Sequence, residues 1–284
     1  MQTRAIWKNE FGTWMAESDD QAAVLGGVCD LLDCFEEHGV EFVRTEQCYT
    51  EEFADFLWSN RRLKEQCGDD LILLSKCIQK AEEIDEEMYD SEILLIMEDK
   101  REDALLMMVD APRSCRQSVS NEKEYYECRE FQMKYLVRED EFYDCANVSF
   151  RHLYFSENVG DSIKTLTVPF VRIQELIGDH LSFLDGEYTL LCDSQKKGYV
   201  KLAEEFDGRT GIECSAMSGR SSVNDLRFSF IDDEGKKQEV LCELHTKLKY
   251  KGMDRKNQNR IYFHPPITGV AGGRVLIAYI GKHL

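Results

Sequence analysis

From Leu226 to the last residue the chain keeps a two-residue rhythm, the signature of strands with one face turned to a core. Leu226-Arg-Phe-Ser-Phe-Ile231 alternates, Glu239 to Tyr250 alternates again, and Arg260 to Phe263 and Arg274 to Ile280 add two further strand candidates. Turn residues separate them: Asp232 to Gly235 in the first gap and the glycine cluster Gly269 to Gly273 in the last. Four strands joined in sequence order form most economically an antiparallel meander. Side chains alternate across a strand. Val240, Cys242, Leu244, Thr246 and Leu248 are therefore expected on one apolar face, with Glu243, His245, Lys247 and Lys249 on the other.

Upstream the rhythm is helical. Ser18-Asp19-Asp20 offers an N-cap, apolar residues recur at helical spacing from Ala23 to Phe35, and Gly39 suits a C-cap. Val40 to Val43 reads as a short strand, Thr50 begins a second helix, and Asp70 to Ile84 a third. Ile93 to Met97 and Ala104 to Val109 read equally as a hairpin or as one helix. Ser114 to Glu124 reads as a loop, and the aromatic-rich Tyr125 to Val137 as strand. Val171 to Leu184 and Gly198 to Phe206 read as helices. The expected class is α+β, with helices packed on a C-terminal antiparallel sheet and a mixed α/β N-terminal segment. The composition shift near 138–145 suggests a division into 1–140 and 145–284.

Charge draws a second division, further along the chain. The 284 residues carry a net −19, which argues against a simple nucleic-acid coat. From Leu244 to Leu284, however, eight basic residues face the single acid Asp254, a net of +7 in 41 residues, so the other 243 carry −26. Such asymmetry implies an anionic partner for the tail, or docking of the tail on the chain's own acidic body.

Eleven cysteines are scattered rather than clustered, several beside aliphatic residues, and Met1 to Glu10 lacks a basic start followed by an apolar stretch. Free thiols, a cytoplasmic location and no membrane partner are expected. No apolar run approaches the ~20 residues that span a bilayer.

The polar face of the tail carries the chemistry. In a meander, His245, Lys247, Arg260 and Tyr262 share one face, and Lys282 and His283 approach from its edge. Ammonium and guanidinium groups stabilise charge on a phosphate, and an imidazole moves protons near neutral pH. Metal-independent cleavage of RNA needs little more, because the 2′-hydroxyl is the nucleophile. The candidate catalytic set is His245, Lys247, Arg260, Tyr262 and His283. Lys249, Lys251, Arg255, Lys256, Arg274 and Lys282 are candidate contacts to RNA or another polyanion. A solvated sheet face protected by lysines is the plainer alternative.

The run His245-x-Lys247, then Arg260-Ile-Tyr-Phe263, then an aliphatic strand ending Ile280-Gly-Lys-His-Leu284, resembles the C-terminal sheet of RelE/ParE-like toxins. It also resembles a group of bacterial proteins associated with mobile elements and phage defence. The resemblance covers about 239–284. It implies cleavage or binding of RNA in a toxin or phage-defence setting, with His245, Lys247 and Arg260 as the basic residues and Tyr262, Tyr279 or His283 as a further participant. Such toxins are small and basic overall, whereas this chain is long and acidic.

Other chemistries fit less well. A PD-(D/E)xK metal-dependent nuclease would draw on Asp225 or Asp233 with Glu243 and Lys247, but the Glu243-to-Lys247 spacing is wrong. No Cys-x-x-Cys pair, P-loop or nucleophile elbow is present, so no cofactor or metal is expected. His38 reads as a helix-end contact, His152 and His180 as core histidines, and Ser215, Ser218, Ser221 and Ser222 as a polar loop. A non-catalytic interaction subunit that docks on a protein partner remains the alternative function.

Overall fold

Trp7 anchors the first core. It is fully buried at the end of strand β1 (Thr3–Trp7), its ring edge-on to Phe11 and tilted on Phe53. In the computed structural model, residues 3–45, 48–84, 105–109, 115–193, 198–217, 226–250 and 258–284 are described. They divide into two compact units, Met1–Cys128 and Arg129–Leu284, each with its own sheet.

In the first unit β1 is followed by α1 (Asn9–Glu17), α2 (Gln21–Glu37), β2 (Glu41–Thr45), α3 (Glu51–Trp58), α4 (Arg61–Lys80), β3 (Glu82–Ile84), β4 (Leu105–Val109) and β5 (Cys115–Val119). The sheet order is β3-β2-β1-β4-β5, with β1, β2 and β3 parallel and β4 and β5 antiparallel. The caps follow the sequence signals. Asp20 accepts from the Ala23 amide, Thr50 from Phe53 and Asn60 from Leu63, and Gly39 takes the left-handed turn (φ 63°) after α2. Leu25, Val28, Leu32 and Phe35 of α2 pack in one core with Leu71, Leu74 and Ile78 of α4.

Several sequence expectations give way here. The third helix starts at Arg61, not Asp70, because Asn60 caps it and a kink at Cys67 (φ −137°) interrupts the periodicity before Asp70. Its end is followed by a strand, β3, where the helix was expected to continue. The expected loop over 114–124 contains β5 and the start of a helix. The expected strand over 125–137 is that helix, α5 (Glu122–Tyr135). Asn121 caps α5 through the Glu124 amide, and its buried residues Tyr125, Cys128, Arg129, Gln132 and Met133 recur at helical, not alternating, spacing. Aromatic content suggested strand; periodicity decides for helix. The segment Leu105–Val109 is strand, whereas Ile93 to Met97 lies outside the described residues.

In the second unit come α6 (Phe142–Asn147), β6 (Leu153–Phe155), α7 (Asn158–Ser162), α8 (Phe170–Gly186), α9 (Tyr188–Cys192), α10 (Tyr199–Thr210), β7 (Cys214–Ala216), β8 (Arg227–Ile231), β9 (Lys237–Leu241), β10 (Leu244–Leu248), β11 (Asn259–His264) and β12 (Val275–Lys282). The main sheet has order β6-β12-β11-β10-β7. Its β10-β11-β12 core is an antiparallel meander, β7 joins antiparallel, and β6 pairs parallel with β12. Helices α8 and α10 cover one face: His180 on α8 bonds Thr246 on β10 at 2.8 Å, and Phe206 on α10 meets Phe263 on β11. The chain is thus α+β, with helices on a C-terminal sheet and a mixed α/β first unit.

The four-strand meander is only partly realised. Residues 239–250 do not form one strand. The chain breaks at Cys242 and Glu243, so β9 pairs with β8 in a separate two-stranded sheet, and only β10 enters the main one. Val240 and Cys242 therefore leave the face of Leu244, Thr246 and Leu248. They join Phe228, Phe230, Tyr262, Leu276 and Tyr279 in a second core, which lies on the face away from α8.

The outer edge of β12 is closed by α7 and the 3-10 turn Ile163–Thr165. The Ile280 amide donates to Ser162 Oγ at 3.0 Å and the Lys282 amide to Thr165 Oγ1 at 3.3 Å. Gly281 sits between these two bonds, where a Cβ would lie 2.6 Å from the Ser162 carbonyl oxygen and would also strike Thr165. Gly281→Ala is expected to destabilise by ~1–3 kcal/mol through overpacking. Gly186→Ala, whose Cβ would meet nothing within 4 Å, should be neutral or slightly stabilising. Urea denaturation of the two variants checks the contrast.

Candidate polyanion site on the C-terminal sheet

Register alone builds two transverse rows on the face of the main sheet opposite α8. The pairs His245–Ser215, His245–Tyr262 and Tyr262–Tyr279 place Ser215, His245, Tyr262 and Tyr279 side by side across β7, β10, β11 and β12. One step along β10, Lys247 pairs with Arg260 and Arg260 with Gly281. Glu213, just before β7, extends this second row: the Lys247 amide donates to its carbonyl at 3.1 Å and the Lys247 ammonium binds its carboxylate. Four expected residues, His245, Lys247, Arg260 and Tyr262, thus share a face.

The first row is closed to solvent at its three ring-bearing members, while Ser215 is half-buried. Tyr262 is fully buried, His245 is 2% exposed and Tyr279 is 8% exposed. The β8–β9 hairpin contributes Phe228, whose ring lies 6.3 Å from that of Tyr279. His245 leans on the Tyr262 ring at 5.2 Å and bonds the Glu243 carbonyl through Nδ1 at a long 3.4 Å. Burial pulls its pKa down from 6.5 to about 4, and Arg260, Lys247 and His283 push the same way. The expected polar, solvent-facing row is in this part an apolar layer holding a neutral imidazole. The break at Cys242 sets β8 and β9 against Tyr262 and Tyr279 in this layer.

The second row is open. Lys247 and Arg260 are half-buried and Lys249 is exposed. Glu213 receives both lysines, Lys249 at 2.6 Å, and their hydrogen bonds hold its carboxyl down at about 2. Arg260 differs. It has no ion pair among the described residues, its Nε is buried with no hydrogen-bond partner, and its Nη1 reaches Tyr262 Oη only at 3.5 Å. His283 is exposed at the edge, lowered by partial burial and by Arg260. Tyr262 Oη also accepts from the Leu284 amide, and Tyr279 Oη bonds Thr165 Oγ1 at 2.8 Å.

Other expected contacts lie apart. Lys282 pairs in register with Asn259, on the opposite parity from Arg260. Arg274 stands over the Tyr154 ring at 4.9 Å, seven residues from Gly281, roughly 23 Å along an extended strand. Lys251, Arg255 and Lys256 lie outside the described residues, as do Asp225, Ser218, Ser221 and Ser222. Ser215 is on strand β7, not in a loop. Asp233 accepts from the Gly272 amide in the turn, and no group of three or more metal-ligating side chains occurs among the described residues. Glu213 and Thr165 belong to the site but were not anticipated as parts of it. Their one sequence signal is that Glu213 stands immediately before a strand whose partner carries two lysines.

No protein-family model, curated protein or solved structure matches the chain. Among the described residues no helix is long and apolar enough to cross a membrane, and the cysteines with described side chains carry free thiols.

Two buried histidines set an acid limit. His245 and His180 each fall from 6.5 to about 4 on folding, so the folded state prefers them neutral. A group with a depressed folded pKa that is neutral above it contributes full stability above pH 6.5 and loses it as pH falls toward 4, ~3 kcal/mol each. Asp185, raised by burial to about 6, acts oppositely and relieves its own cost as it protonates. The difference in unfolding free energy between wild type and His245→Asn isolates the first histidine. It should shrink by ~3 kcal/mol from pH 7 to pH 4, measured by urea denaturation.

Proposed function

We propose that the C-terminal unit binds RNA through its phosphates at the open row of Lys247, Lys249 and Arg260. Arg260 carries the proposal: a half-buried guanidinium with no carboxylate partner, and a buried Nε with no acceptor, among the described residues. An anionic oxygen at the accessible edge of this guanidinium gains a charge-assisted hydrogen bond that no described carboxylate supplies. His283 and His245 beside it are lowered by burial first and by this cation second, and the cation's field favours a bound phosphate. The resemblance of 239–284 to RelE/ParE-like toxins supports RNA as the polyanion and a toxin or phage-defence setting.

Binding without cleavage is the reading that burial favours. His245 is 2% exposed, so it cannot meet a 2′-hydroxyl in this conformation. Metal-independent cleavage is the second reading. It rests on the juxtaposition of two imidazoles, Arg260 and Tyr262, with His245 taking the 2′-hydroxyl proton and His283 supplying one to the departing 5′-oxygen. Docking on a protein partner uses the same charges without any specificity for phosphate.

Full-length protein with end-labelled single-stranded RNA, with and without EDTA, separates these readings. Binding should weaken as salt rises, with a slope of about −2 in log K against log salt for three phosphate contacts. Arg260→Ala should reduce that slope by ~0.7. Intact RNA in the complex supports binding alone, whereas EDTA-resistant cleavage lost in His245→Ala supports the second reading. Absence of salt-dependent binding in 50 mM salt contradicts both.

A further inference from the structure

The binding face described above already holds an anion, and the chain supplies it. Lys247 lies in β10 and Lys249 stands just past its end, two residues further on. Their ammonium groups converge on the two oxygens of one carboxylate, Lys247 on Glu213 Oε1 and Lys249 on Oε2. Two cations bridging the paired oxygens of a trigonal anion is also how two lysines hold the non-bridging oxygens of a phosphodiester.

We propose that Lys247 and Lys249 form a phosphate subsite which Glu213 occupies in the free protein, so that RNA enters by exchange with this carboxylate. The proposal rests on the RNA-binding reading above and adds a gate to it. The backbone of Glu213 is fixed. Gly211 (φ 70°) ends α10, the Glu213 carbonyl accepts from the Lys247 amide, and Cys214 pairs with Thr246. The Glu213 side chain is one third exposed and Lys249 nearly two thirds. Rotation of one side chain therefore frees both lysines without disturbing the sheet. The exposed Lys249 pair contributes little to stability, whereas the Lys247 pair, at a lysine only 20% exposed, is the one an incoming anion must match. A phosphodiester within a strand also brings its neighbours to Arg260, which the carboxylate does not reach.

The gate is competitive and insensitive to pH. The carboxyl stays ionised down to about pH 2, so acidification within the stable range of the protein does not open it. Occupancy depends on the concentration and length of the polyanion. A single phosphate gains only what it takes from Glu213, whereas an oligonucleotide gains Arg260 as well.

The test is fluorescence anisotropy of a 5′-labelled oligo-uridylate with full-length wild type, Glu213→Gln and Glu213→Gln/Lys247→Gln/Lys249→Gln, each checked for unchanged thermal unfolding. Glu213→Gln should bind roughly tenfold more tightly at 100 mM salt, since a like charge beside the ligand is removed. The triple variant should lose that gain. If wild type binds and Glu213→Gln binds no more tightly, the gate is wrong and the RNA-binding reading stands. If the triple variant keeps the gain, the subsite is not at these lysines and the proposal is overturned. If neither wild type nor Glu213→Gln binds, the RNA-binding reading falls and the gate with it.

Discussion

The register between β10 and β11 is the constraint on which the C-terminal unit depends. Leu244 opposite Phe263, Thr246 opposite Ile261 and Leu248 opposite Asn259 turn the apolar side chains toward α8 and α10. The same pairing sets His245 against Tyr262 and Lys247 against Arg260 on the other face. A slip of one residue would send the lysine and arginine into the helix-covered core and expose Ile261 and Phe263. Both cores therefore oppose it. Helix packing, through the His180–Thr246 bond, and hairpin packing, through Tyr262 and Tyr279, fix one register between them.

That face is divided by depth. Near the β8–β9 hairpin the side chains are aromatic and closed, and an imidazole is held neutral. One row further along, the hairpin no longer covers the sheet and cations reach solvent. The division explains why His245 and Lys247, two residues apart and on one face, have such different character. One is a core group whose ionisation opposes folding; the other is a charge available to a ligand once its carboxylate partner moves. Arg260 stands between the two regimes, with its Nε inside and its charge unmatched among the described residues, and so carries more of the functional reading than either histidine.

Much of this arrangement was legible in the sequence, and the omissions have physical causes. Alternation gave β8 and β10 to β12, and strand parity correctly placed His245, Lys247, Arg260 and Tyr262 together. Caps at Asp20, Thr50 and Gly39 were readable because each satisfies a local backbone need. Parity did not extend across the break at Cys242, since nothing in a smoothly alternating run marks where one sheet ends and another begins. The packing of β8 and β9 on Tyr262 and Tyr279 was invisible for that reason. Helix α5 was mistaken for strand because its tyrosines and phenylalanine suggested β propensity, while the buried spacing that decides the matter emerges only with packing. Glu213 is a non-local partner, 34 residues before Lys247, and charge counting alone could not assign it.

The central claim is that an RNA phosphate binds beside Arg260. Titration of the six histidines by NMR in full-length protein, free and saturated with a short oligo-uridylate, addresses it directly. Arg260 lowers the pKa of both His283 and His245, so a phosphate that offsets its charge should raise both, His283 the more visibly because it is exposed. A rise confined to these two among the six, and absent in Arg260→Ala, is the expected result. Saturating RNA that leaves both titrations unchanged would place the phosphate elsewhere and contradict the account.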